Sequence, residues 1–126
     1  MTELIYKELS YKLNGLAFGI FKKLGSGLRE SVYSDAFELC HKRENISYVR
    51  EYHKVIEFEG KRIATNFFDY IIDNRIVVEL KRGDKDYYQA FEQLKNYLQL
   101  SRLKLGLIIR FTGKGAIVKR VVNIID

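Results

Sequence analysis

Proline is absent from the 126 residues, cysteine occurs once and there are only nine glycines. Without proline nothing in the chain forces a helix or strand to break, so its elements read with few interruptions. The lone Cys40 excludes an internal disulfide and cannot build a zinc site by itself; in a helical pattern with Phe37 and Leu39 it reads as a small buried thiol. His41 and His53 have no partner at metal-ligand spacing and read as incidental. No apolar run approaches the length of a membrane-spanning helix, and the first residues, Met-Thr-Glu-Leu-Ile-Tyr-Lys-Glu, have the wrong charge pattern for a secretory signal. The expected location is the cytoplasm, with no membrane partner, and the Asn45-Ile46-Ser47 sequon then carries no meaning. Repeats and low-complexity segments are missing as well.

Acidic residues are in the minority, 16 against 22 basic ones, for a net charge of +6. Basic pairs recur at Lys22-Lys23, Lys42-Arg43, Lys81-Arg82 and Lys119-Arg120 rather than in a tail. The excess raises the expectation of a polyanionic partner, met by folded surface. What the chain has in quantity is apolar material, 47% hydrophobic residues with nine Tyr and eight Phe. That suffices for one core, and the length predicts one domain over 1–126.

Helical spacing runs from about 3 to 24 through Ile5, Leu9, Leu13, Leu16, Ile20 and Leu24, stopped by Gly25-Ser26-Gly27. A second helix is predicted at 28–44. Strands follow from Tyr52 to Phe58, through Asp69 after a turn at Glu59-Gly60-Lys61, and through Glu79. Asp84 then resembles an N-cap for a helix over 85–100, before strands from Leu105 to Phe111 and Ala116 to Ile124. The order is ααβββαββ.

The segment from Asp69 to Lys81 carries the chemistry. Asp69 lies inside the apolar run Phe67–Ile72 and Glu79 inside Ile76–Leu80, where a strand is otherwise buried on both faces and an uncompensated charge is costly. Side chains of a strand alternate, so Glu79 and Lys81 share a face. A two-residue loop at Asp73-Asn74 would send Asp69 to the other face; a three-residue loop, Asp73-Asn74-Arg75, sets it across from Glu79, and the latter is expected. Two carboxylates and an ammonium suit metal-dependent phosphodiester cleavage, with hard oxygens for Mg²⁺ or Mn²⁺ beside the phosphate.

Asp69 followed by Glu79-Leu80-Lys81 resembles the Asp…Glu-x-Lys core of the PD-(D/E)xK nuclease superfamily. Upstream, Gly27-Leu28-Arg29-Glu30-Ser31-Val32-Tyr33 resembles the signature of the GxxExxY protein family within it, and Gln93-Leu94-Lys95-Asn96-Tyr97 resembles the QxxxY motif of RecB-like branches. Almost the whole chain is covered. Departures are Gly19 and Phe21, where members often carry Glu or His in the first helix, and Asn66-Phe67, where a small or basic residue usually precedes the Asp.

The resemblance implies an α/β, restriction-endonuclease-like αβββαβ core, its mixed sheet flanked by helices. It also implies a catalytic set of Glu30, Asp69, Glu79, Lys81 and Gln93, with Asp69, Glu79 and Glu30 holding Mg²⁺ (or Mn²⁺) and Tyr33 and Tyr97 in support. Glu30 and Tyr33 lie one turn apart on a helix, as do Gln89, Gln93 and Tyr97, so Gln93 is expected to orient water or phosphate while Tyr97 packs beneath or bonds to it. A first-turn Glu also simply favours the positive end of its helix, Lys81 could be merely solvated, and Gln89 could be ordinary helix surface. The implied activity is hydrolysis of nucleic acid, DNA before RNA. The alternative is a catalytically weak or inactive module on the same fold that binds nucleic acid or protein. No segment reads as a substrate-recognition arm, which leaves room for a homodimer or a partner protein; in a third reading, a plain interaction protein, the acids are structural.

Overall fold

The computed structural model describes residues 5–83 and 87–123. Two helices, α1 (Lys7–Leu24) and α2 (Glu30–Arg43), precede three strands, β1 (Tyr48–Phe58), β2 (Lys61–Ile72) and β3 (Ile76–Arg82). Helix α3 (Tyr88–Ser101) then leads to β4 (Leu105–Thr112) and β5 (Gly115–Val122). The order ααβββαββ is the one expected. The first and third helices differ at their starts, and Asp84, expected as a cap, lies outside the described residues.

The five strands form one sheet in chain order, antiparallel throughout except for β3 and β4. A parallel pair needs a crossover, and α3 supplies it. Leu13, Leu16, Ala17 and Ile20, spaced by three and four, turn one face of α1 onto the sheet. With Phe37 and Tyr33 of α2 they cover Tyr70 and Ile72 of β2, Ile76, Val78 and Leu80 of β3, and Leu105, Leu107, Ile109 and Phe111 of β4. The opposite sheet face packs on Ala90, Leu94, Tyr97 and Leu98 of α3. Gly106 permits that approach, because a Cβ there would lie 2.7 Å from Leu94 Cδ2.

Strand β1 begins four residues before the expected Tyr52. The earlier segment looks polar, but Arg50 pairs with Asp35 (2.8 Å) and Glu38 (3.0 Å) of α2, and Tyr48 donates to Glu38 at 2.7 Å. An arm is also present. From His53 to Phe67, β1 and β2 bond only to each other and no side chain is buried, so a two-stranded ribbon projects from the body. Nothing in its composition distinguishes such a ribbon from a strand pair inside a sheet, which is why the sequence showed no arm.

Candidate functional site

The β2–β3 register, Ile72 opposite Ile76 and Tyr70 opposite Val78, leaves Asp73-Asn74-Arg75 as a three-residue loop. Asp73 and Asn74 both take positive φ, 52° and 54°, which short polar side chains tolerate best. The same register sets Asp69 opposite Glu79. There the backbone ladder stops. In its place the Asp69 N–H donates to Glu79 Oε1 (2.7 Å) and the Leu80 N–H donates to Asp69 Oδ2 (2.6 Å).

Strand β1 meets the same point from the other side. Arg50 pairs with Tyr70 and Tyr52 with Phe68, yet the intervening Glu51, opposite Asp69, is unpaired and has φ 56°. Simple alternation would put residues 48, 50, 52, 68 and 70 on one face. Tyr48, Arg50 and Tyr70 do face α2, where the Tyr70 hydroxyl donates to Ser34 O at 2.7 Å. Tyr52 and Phe68 instead meet Tyr97 of α3, with a 2.5 Å hydroxyl contact and a 4.9 Å ring separation. Both strands therefore change face at Glu51 and Asp69. The reversal keeps Asp69 out of either core and turns its carboxylate across the gap to β3.

Burial pushes the Glu79 carboxyl up to about 7, and the neighbouring Asp69 adds to the rise. Asp69 is raised too, by burial, against the lowering effects of the Leu80 N–H and Lys81. A buried and a half-buried acid thus share a region that disfavours their joint ionisation. Lys81 Nζ stands 4.0 Å from Glu79 Oε2. Each carboxylate gives one oxygen to a backbone N–H, and the other, Asp69 Oδ1 or Glu79 Oε2, accepts no hydrogen bond among the described residues.

Glu30 is the first residue of α2, and its Oε2 accepts from the Arg82 N–H at 3.3 Å. Its charge raises both Asp69 and Glu79, so it belongs to the same electrostatic neighbourhood. Tyr33 explains how the helix is set there. Its hydroxyl donates to Gly25 O (2.6 Å) and accepts from Leu28 N–H (3.3 Å), while its ring stacks on Phe111 at 4.1 Å. The loop into α2 is pinned by a side chain one turn inside it, and Gly27 (φ 87°) lies in that loop, after Gly25 has capped α1.

Gln93 is not drawn in: it is exposed, with no hydrogen bond among the described residues, as is Gln89. Tyr97 is buried and its hydroxyl goes to Tyr52 rather than to Gln93. Glu51 and His53 are the additions. They line a cavity of about 470 Å³ with Phe67, Phe68, Asp69 and Glu79, and a smaller one, about 180 Å³, joins Glu51 and Asp69 to Glu30. No sequence signal marks Glu51; the β1–β2 register places it beside Asp69.

Among the described residues no three His, Cys, Asp or Glu side chains are grouped tightly enough to hold a metal ion alone. Two carboxylates with an uncommitted oxygen apiece nonetheless fit Mg²⁺, which takes one or two carboxylates and fills its remaining positions with water and substrate phosphate.

The sequence profile of the PD-(D/E)XK nuclease superfamily matches residues 7–121. Among solved structures, the crystal structure of SSO0001 is similar in fold: TM-score 0.57 and 22% identity over 96% of this chain. The chain spans 59% of the length of that structure. No curated protein matches. Among the described residues no helix is long and apolar enough to cross a membrane.

Proposed function

Because the chain belongs to the PD-(D/E)XK nuclease superfamily, we propose that it is a Mg²⁺- or Mn²⁺-dependent nuclease hydrolysing phosphodiester bonds of DNA. In this reading it is one domain over 1–126, works in the cytoplasm, and falls in the GxxExxY group through Gly27, Glu30 and Tyr33. The observation that carries the proposal is the reciprocal bonding of Asp69 and Glu79 across the open end of the β2–β3 hairpin, with Lys81 beside them.

Asp69 and Glu79, with Glu30 approaching from α2, would hold the ion. When bound, it supplies Lewis-acid polarisation of the phosphate and a water of lowered pKa. The backbone N–H groups of Asp69 and Leu80 fix the orientation of the two carboxylates, so their free oxygens are preorganised rather than mobile. Lys81 puts its ammonium where negative charge grows on the phosphoryl oxygens as water attacks phosphorus and the ester oxygen departs. Glu51 adds negative charge opposite Asp69. The Tyr33 hydroxyl keeps the loop closed and thereby holds Glu30 at the site.

Incubating purified protein with supercoiled plasmid and with linear single-stranded DNA, plus Mg²⁺ or Mn²⁺, tests the proposal beside a Glu79→Ala control. Cleavage that needs the metal and vanishes in the control supports it. Binding without cleavage favours the inactive module on the same fold.

A further inference from the structure

Phe67 is 65% exposed, although it is only two residues from Asp69 and the next residue along the strand, Phe68, is buried. Its register partner on β1 is His53, with ring centroids 6.0 Å apart. Both rings line the same cavity as Asp69 and Glu79. No core claims them. They stand at the root of the ribbon, which carries Lys54, Lys61 and Arg62 further out, none with an acid at ion-pair distance among the described residues. Glu57, opposite Arg62, and Glu59, in the turn at the tip, offset two of these three charges.

We propose that Phe67 and His53 form a stacking ledge for an unpaired base, so that the site takes a single-stranded stretch of nucleic acid laid along the β1–β2 ribbon. The proposal rests on the nuclease reading and names its substrate class. An aromatic face can receive a base only when that base is out of a duplex stack, because paired bases are covered on both sides. Two residues of strand separate the ring from Asp69, about 7 Å. A base held on Phe67 therefore presents its adjoining phosphate to the carboxylates and Lys81. The ribbon cations meet the backbone beyond it, which fits the net charge of +6.

The test uses the full chain carrying Glu79→Gln, in EDTA, so that binding is read without cleavage. Fluorescence anisotropy compares a labelled mixed-sequence single strand with the same sequence as a blunt duplex. A 2-aminopurine in the single strand reports stacking by quenching. The expected result is tighter binding of the single strand, weakened roughly tenfold by adding Phe67→Ala, the scale of one lost base stack. Phe67→Trp should restore binding and quenching, whereas Phe67→Leu, apolar but without a π-face, should not. Equal affinity for both forms, or a loss in Phe67→Ala that Leu repairs as well as Trp, overturns the ledge. So does a protein dimer that Phe67→Ala dissociates, which would make the ring a contact between copies. None of these outcomes touches metal-dependent cleavage, so failure of the ledge and failure of the nuclease reading are told apart.

Discussion

Asp69 and Glu79 bind each other's strand: the main-chain N–H of Asp69 rests on Glu79 Oε1, and Asp69 Oδ2 takes the N–H of Leu80. Two carboxylates are thus locked where the β2–β3 ladder opens, and each retains an oxygen that accepts no hydrogen bond among the described residues, that of Glu79 lying 4.0 Å from the Lys81 ammonium.

The first consequence is a pH-dependent instability of the metal-free protein. The Glu79 carboxyl sits near 7 when folded, against an ordinary value of 4.5. Between these values the folded state holds more protons than the unfolded state, so stability falls as pH rises through the window. Glu79→Gln keeps an oxygen for the Asp69 N–H and removes the ionisation. In urea melts with EDTA, the variant should match the wild type near pH 4.5 and exceed it by on the order of 1–3 kcal/mol at pH 8. A variant less stable than wild type at pH 8 would mean that the carboxylate contributes more to the fold than its burial opposes.

Tyr33→Phe keeps the ring on Phe111 and deletes only the hydroxyl that ties Gly25 to Leu28. Stability should fall by about 1 kcal/mol, the worth of an ordinary hydrogen bond. Cleavage should fall further than that loss explains, because Glu30 is no longer held. Kinetics on protein verified as folded by circular dichroism provide the check; full activity would detach Tyr33 from the site.

Gly106→Ala places a methyl group against Leu94, which is fully buried and has nowhere to withdraw. Overpacking of this kind costs about 1–3 kcal/mol. Thermal melting should drop by several degrees, and an unchanged melt would show that α3 can slide along β4.

Lys81→Ala should lower the rate constant of cleavage by about two to three orders of magnitude, as removal of a charge-stabilising donor does. Metal affinity should persist, since Asp69 and Glu79 remain. Paired measurement of rate and affinity separates this role from metal binding; equal loss of both would make Lys81 a structural partner of Glu79.

The fold and the hairpin were legible because they rest on local signals: helical periodicity, the glycine stop after Leu24, and polar loop residues able to take positive φ at Asp73 and Asn74. The register then followed from loop length alone. What escaped the sequence depends on contacts distant in the chain. Arg50 looks like an exposed charge until Asp35 and Glu38 of α2 surround it, which hid the first four residues of β1. Strict alternation fails at Glu51 and Asp69, where both strands change face, so Glu51 could not be read as part of the site. Gln93 and Tyr97 share a helix face only loosely: one is solvated and the other is held by Tyr52, a partner no spacing rule supplies.

If Asp69 and Glu79 together hold a divalent cation, calorimetric titration of Mn²⁺ into the metal-free protein will register it. Saturable binding by the wild type is expected, lost in folded Asp69→Asn and in folded Glu79→Gln alike. Absence of binding to the wild type in the presence of oligonucleotide, or undiminished binding by the Glu79→Gln protein, would contradict it.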